Sequence, residues 1–392
     1  MVQPHRFDPL AATRSPDGPE FDLLLAGQVF FDIIFTGLEQ LPSPGTEVWT
    51  EGMGSGPGGI ANQAIAASRL GLRTTLAAAF GDDGYGQFNW DVLQDQEHVD
   101  LSRSRVFGRW HSPVTVSLSV HQDRSMITHG HPSPLRATEL IGTPPSCRAA
   151  IVSLEREVEP WARAAAAAGT KLFGDVGWDA AGEWAPETLA SLEHFHAFMP
   201  NAAEAMAYTR TDDPWAALYS LADRVPVAVV TVGQQGAIAI DSETGEEEWV
   251  PALPVAAYDP TGAGDCFGAA FVMGDLAGFP LADRLRFANL CASLSVQHVG
   301  GSLAAPGWGD IADWWHRVTT GRGAVRRQWL RRYAFLEDLV SDVPTEALRR
   351  ATATIARQSD ASPSRPSETR LEIPVRPDGE ELVADRDDTC SR

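Results

Sequence analysis

Two aspartates six residues apart, Asp259 and Asp265, bracket the turn Pro-Thr-Gly-Ala-Gly. Gly262 and Gly264 leave the backbone free to approach a ligand. The small, apolar run after Asp265 reads as a buried helix. A glycine turn opening into a helix presents unpaired N–H groups and the positive end of the dipole. Gly262, Ala263 and Gly264 are therefore a candidate anion hole, most naturally for phosphate. Asp265 at the same mouth is a candidate base for a hydroxyl nucleophile. An anion hole beside a base is what phosphoryl transfer asks of a protein. Taken alone, an Asp at a helix start is more often a cap. The paired aspartates with glycines between them are harder to explain by capping. No Gly-x-x-x-x-Gly-Lys-Ser/Thr run occurs, so this is not a P-loop.

Three further runs carry candidate chemistry. Gly58-Gly59-Ile-Ala-Asn62 leads into a helix, and Asp32 lies just past the first strand. Asp32, Gly58, Gly59 and Asn62 together can hold a polyol through several hydrogen bonds. In Asn201-Ala-Ala-Glu204 the two polar residues share a helix face and suit magnesium, directly or through water; each alone reads as a cap or first-turn acid. Thr231-Val-Gly-Gln-Gln-Gly236 is a strand end whose glycines could pass close to nucleotide phosphates, or a plain tight turn. The run Gly54-Ser-Gly-Pro-Gly-Gly59 matches the dinucleotide fingerprint Gly-x-Gly-x-x-Gly, but Pro57 stiffens it and it sits well after the first strand. The pairs His129/His131 and His194/His196 lack a third ligand at metal spacing.

These residues need a framework, and the hydrophobic pattern supplies one. Short apolar runs at 23–25, 74–80, 149–154, 171–175, 197–200 and 228–232 alternate with helical stretches at 60–70, 161–168, 187–192 and 215–223. The alternation predicts an α/β fold, a mostly parallel central sheet with helices on both faces. Residues 114–120 and 125–128 read as a hairpin, and 236–241 with 248–250 as another. Helices are expected near 263–278 and 283–298. The expected organisation is a flexible arm over 1–20, one catalytic domain over 21–310, a helical extension over 311–358 and a disordered tail over 359–392.

The 392 residues are 44% hydrophobic and carry a formal charge of −21. That balance argues against nucleic acid and anionic membrane as main partners. Four scattered cysteines form no Cys-x-x-Cys pair and suit a reducing cytoplasm. Residues 1–20 are unlike a signal peptide, and the apolar run at 22–36 is too short and too polar to span a bilayer.

The ordered set Gly-Gly-x-x-Asn, Asn-x-x-Glu, Thr-x-Gly-x-x-Gly and Asp-Pro-Thr-Gly-Ala-Gly-Asp resembles the ribokinase-like carbohydrate kinases, the PfkB family, over about residues 21–308. The resemblance implies a ribokinase-like sheet plus a small β-sheet lid, with lid strands within about 33–52 and 106–129. It implies ATP and magnesium as cofactors and Asp265 as the base that deprotonates the substrate hydroxyl. Gly262, Ala263 and Gly264 would form the anion hole. Asp32, Gly58, Gly59 and Asn62 would hold the substrate, and Asn201 and Glu204 would organise magnesium and phosphate. Thr231, Gly233, Gly236 and Asn289 would line the nucleotide site. Asp259 and Thr261 match a monovalent-cation site, but Ala304 stands where a hydroxyl ligand is often found, which argues against potassium. Lid strands in such folds can also join two copies of the chain.

Ile60 follows the glycine pair where relatives that bind ribose or sugar phosphates often carry Lys, and Arg109 and Arg124 are the main cations of the lid region. An anionic substrate wants charge-assisted partners. A neutral sugar or nucleoside is therefore the expected substrate. Two other classes compete: a ligand-binding regulator acting through the C-terminal extension, and a nicotinamide oxidoreductase built on the Gly54–Gly59 run.

Overall fold

The computed structural model describes residues 6–350, apart from 121–122, 178, 180–181 and 322–323. The expected tail at 359–392 lies outside the described residues.

Eight strands form the central sheet, in the order Glu246–Val250, Ala237–Asp241, Val227–Thr231, Ala197–Phe198, Lys171–Asp175, Cys147–Ser153, Phe21–Ala26 and Thr74–Ala77. The last six run parallel, and the first two add an antiparallel edge. Its inner strands are apolar on both faces because both faces are covered. Leu23, Leu25, Ile151, Phe173 and Val229 join one core layer with helices Ile60–Arg69, Ala263–Leu276 and Leu281–Ser295. Leu24, Ala150, Val152, Phe198 and Val230 face the other layer, under helices Pro160–Ala167, Ala202–Thr209 and Pro214–Ala222. The mostly parallel sheet with helices on both faces is the architecture the alternation predicts.

A separate four-stranded sheet, ordered Gly52–Gly59, Val29–Leu38, Val114–Val120, Asp123–His129, corresponds to the lid. It is mixed: Val29–Leu38 pairs parallel with Val114–Val120 and antiparallel with Gly52–Gly59. Val114–Val120 and Asp123–His129 lie within 106–129, whereas the expected 33–52 holds only part of Val29–Leu38 and the first residue of Gly52–Gly59. No strand crosses 39–51, and Arg105–Phe107 instead pairs with Ala79–Gly81 in a small sheet of its own. The glycine-rich run at 54–59 belongs to the edge lid strand. A side chain at Gly58 would overlap the Asp32 carboxylate, one at Gly52 would overlap Thr36, and one at Gly56 would press on Leu303. Close packing against the neighbouring lid strand, and at Gly56 against Leu303 of the body, therefore accounts for these glycines, and a dinucleotide loop does not. Strand Val114–Val120 inverts the usual pattern: Thr115, Ser117 and Ser119 are buried while the intervening valines and Leu118 are half-exposed.

The arm expected to be loose is tied down over its described residues. Leu10 is buried in the main core, Arg14 pairs with Asp8 and Asp22, and Arg6 donates to the carbonyls of Ser68 and Glu97. At the other end, Trp308–Thr320, Ala324–Arg332 and Leu336–Ser341 are helical, and Ile311, Trp314, Tyr333 and Leu336 enter the same core. A few large apolar residues anchor each segment. Among the described residues no helix is long and apolar enough to cross a membrane.

Candidate active site

Open α/β sheets bind ligands beyond the carboxyl ends of their strands. Here Asp175 ends one such strand, Asn201 follows the next, and Thr231 ends the third. On the other side, the chain leaves Phe21–Ala26 and enters the lid strand that carries Asp32.

Helix Ala263–Leu276 starts at Gly262, which holds φ at +75°. A side chain there would also come within 3.2 Å of the Gly301 backbone, so conformation and space both demand glycine. Ala263 N donates to Pro260 O at 3.3 Å, and Cys266 N closes the first helical turn on Gly262 O at 2.9 Å. Gly264 is exposed, and a side chain added there would meet only open space. The helix mouth thus has room in front of it, and beyond Asp265 the helix is buried.

Asp265 sits in the first turn and accepts a hydrogen bond from Asn62 Nδ2 at 3.0 Å. Burial raises its carboxyl, opposed by that hydrogen bond and by Arg124. Asp32 is pushed up to about 7, first by burial, then by the Asp265 charge, with Arg124 opposing and Asp259 adding. Two like charges in one cleft resist ionising together.

Sequence reasoning missed a third carboxylate. Asp175 accepts from Gln63 Nε2 at 2.7 Å and from Val176 N at 2.8 Å. Burial lifts it to about 7, with the Asp265 charge next and Glu204 adding, against the Val176 and Gln63 hydrogen bonds. Asn62 and Gln63 are consecutive on one helix, so each grips one acid with its amide N–H. Their carbonyl oxygens, Asn62 Oδ1 and Gln63 Oε1, are buried without a partner, as is Thr261 Oγ1. A signal was present: Asp175 closes an expected strand at the sheet edge where ligands bind. The Asp175–Gln63 pairing spans 112 positions, and no local pattern carries it.

Asn201 and Glu204 form a reciprocal capping box: Asn201 N donates to Glu204 Oε2 at 2.9 Å and Glu204 N to Asn201 Oδ1 at 3.0 Å. Burial raises the Glu204 carboxyl. Thr231 bridges to Asn201. Gly233 and Gly236 hold φ at +59° and +96°, and at Gly236 the backbone of 250–252 leaves no room for a side chain. Asn289 is buried, and its Nδ2 donates to Val250 O at 2.8 Å, so it braces the wall of this region. Asp259 is buried and accepts from Thr261 N at 2.9 Å and Gly300 N at 3.1 Å, which makes it a brace for the turn.

Comparison with known proteins agrees with this architecture. The sequence matches the pfkB family carbohydrate kinase over residues 23–307. The chain belongs to that family. It is 29% identical over 315 residues to a nucleoside kinase of Methanothermobacter thermautotrophicus, covering 74% of this chain and 94% of that one. It is 26% identical to a ribokinase of Bacillus subtilis, covering 74% and 98%. Among solved structures, an Arabidopsis thaliana ribokinase complexed with ribose and ATP superposes with TM-score 0.60 at 24% identity, covering 74% of this chain and 96% of that one. A putative ribokinase II from E. coli in complex with ATP and Mg2+ gives 0.62 at 22% identity, covering 76% and 99%. This pfkB family member is thus a nucleotide-binding phosphotransferase with an alcohol acceptor, a sugar or nucleoside kinase.

Proposed function

We propose that this kinase transfers the γ-phosphoryl group of ATP to a hydroxyl of a neutral sugar or nucleoside, with Asp265 as the base. The observation that carries the reading is the position of Asp265. It lies in the first turn of a glycine-led helix, held by Asn62, with open space at Gly264. Burial raises its carboxyl and so makes it a stronger base than a surface aspartate. In this reading the Gly262 and Gly264 amides meet the developing negative charge, while Ala263 N is already engaged with Pro260 O.

The cleft is rich in acceptors. Asp32, Asp175, Asn62 Oδ1, Gln63 Oε1 and Thr261 Oγ1 all call for donors, which the hydroxyls of a neutral polyol supply. An anionic sugar phosphate would meet three carboxylates with Arg124 as the opposing charge on Asp32 and Asp265. Asp32, Gly58, Gly59 and Asn62 hold the substrate in this reading, with Gly58 clearing space for the Asp32 carboxylate.

Thr231, Gly233 and Gly236 would face the nucleotide, Asn201 and Asn289 would brace that side, and Glu204 would help hold magnesium. Among the described residues no group of three metal-ligating side chains is preformed. When bound, magnesium neutralises phosphate charge; the chain's part is to orient the phosphates at the helix mouth and take the hydroxyl proton at Asp265. Asp259, engaged with two backbone amides, acts as a brace and not as a potassium ligand.

The test is a magnesium-ATP assay over neutral sugars, sugar phosphates and nucleosides. One neutral compound is expected to be phosphorylated. Asp265→Asn is expected to abolish turnover while ATP still binds by calorimetry. Unchanged turnover in that variant would remove Asp265 from the role of base.

A further inference from the structure

The matched family region ends at residue 307, yet the chain continues into the shared core. Its last described residue makes a contact that reaches back to the candidate site. Arg350 Nη1 donates to Leu294 O at 2.8 Å. Leu294 lies in the final turn of helix Leu281–Ser295, where carbonyls have no partner within the helix. A guanidinium there supplies a donor and complements the negative end of the helix dipole.

Arg350 is itself held in place. Its Nε lies 3.1 Å from Asp310 Oδ1, and its backbone N donates to Asp310 Oδ2 at 2.8 Å. Asp310 is buried and also accepts from Gly307 N at 2.9 Å, so the carboxylate ties the start of the extension to its last described residue.

The next step leads to the loop. Val296, two residues past Leu294, accepts from Tyr258 N at 2.7 Å and from Asp259 N at 3.1 Å. Asp259 in turn accepts from Gly300 N and Thr261 N, and Gly301 backs the Gly262 turn. At the far end of this segment, the buried Arg69 donates to Leu303 O at 2.9 Å and Ala305 O at 2.6 Å while paired with Glu97. Two arginines thus pin the two ends of the stretch from which the Asp259–Asp265 loop hangs.

We propose that Arg350, which lies outside the matched region, is a positioning residue for the Asp259–Asp265 loop, acting through Leu294 and the Val296 carbonyl. The extension is then part of the catalytic framework. The catalytic half of this claim rests on the kinase reading of Asp265; the structural half does not.

The experiment uses the full chain and three variants, read by amide hydrogen exchange and by kinetics. Arg350→Ala keeps the backbone bond to Asp310 but removes the Leu294 contact and the guanidinium–Asp310 pair. Tyr258 and Asp259 amides are expected to exchange about tenfold faster, and kcat to fall by a similar factor with KM for the acceptor little changed. Arg350→Lys is expected to restore part of both. Asp313→Ala, which breaks the neighbouring exposed pair with Arg349 and only weakens the field at Arg350 while leaving its bonds to Leu294 and Asp310 in place, is expected to leave both nearly unchanged. Unchanged exchange at Tyr258 and Asp259 in Arg350→Ala overturns the coupling, as does an equal rise in Asp313→Ala. Faster exchange with unaltered kcat overturns the catalytic half. Because exchange needs no turnover, failure of the kinase reading is distinguishable from failure of this one.

Discussion

Asp175→Asn is expected to make the unliganded protein more stable at pH 8 and to leave it nearly unchanged at pH 4. In the folded state the Asp175 carboxyl is lifted from 3.8 to about 7, burial being the largest cause and the Asp265 charge the next. In the unfolded chain it loses its proton near the ordinary value. Between those two pH values folding therefore takes up a proton. The contribution is fully present below the unfolded value and is lost as pH rises through the folded one. About three units at ~1.36 kcal/mol each sets an upper bound of roughly 4 kcal/mol. Residual solvent access and relaxation around the acid reduce the realised figure to about 2 kcal/mol. An asparagine keeps the local bonds: it accepts from Val176 N, and a rotated Gln63 amide accepts from its Nδ2. Urea unfolding of both proteins at pH 4, 6 and 8 gives the difference directly. A variant that is less stable at pH 8, or a difference that does not grow with pH, would refute a desolvated, mutually repelling acid at this position.

The hydrogen bond from Asn62 lowers the Asp265 carboxyl, so Asn62→Ala is expected to raise it. The acid limb of the kcat/KM–pH profile should move to higher pH and kcat should fall roughly tenfold; an unmoved limb would separate Asn62 from the base. Gly262→Ala forces a side chain into a φ of +75° beside the Gly301 backbone. A loss of about 1–2 kcal/mol in thermal unfolding is expected, together with a lower kcat/KM, and full retention of both would show that the turn tolerates a side chain.

What was legible in the sequence was local. Asp265, Gly262 and Gly264 lie in one short run whose helix begins where the glycines predict, and Asn62 follows its glycine pair at fixed spacing. The central sheet was readable because strands buried on both faces are short and uniformly apolar. Long-range contacts were not readable. The grip of Gln63 on Asp175 joins a helix to a distant strand, and the lid glycines look like a nucleotide loop until their contacts with Asp32, Thr36 and Leu303 are seen. The hydroxyl row Thr115, Ser117 and Ser119 defeats a rule that puts apolar residues inward, because here the inward face of the lid strand is the polar one.

The same features explain why the site needs bracing from so far away. Asp32, Asp175 and Asp265 crowd one cleft, and at neutral pH their burial and mutual repulsion work against the folded state. Removing any of them would relieve that cost, yet in the proposed function together they make the acceptor-rich surface that meets a polyhydroxyl ligand. The loop's position therefore has to be held from elsewhere. The buried Arg69–Glu97 pair, with Arg6 from the N-terminal segment beside it, and the Arg350–Asp310 clasp from the C-terminal extension flank the loop on two sides. A buried pair of this kind adds little against an apolar substitute but costs several kcal/mol when one partner is lost. Its value here is geometric. It fixes the carbonyls of Leu294, Leu303 and Ala305, and so where the Gly262 turn sits relative to Asn62. Segments from both ends of the described chain thereby hold an acid-rich centre in register.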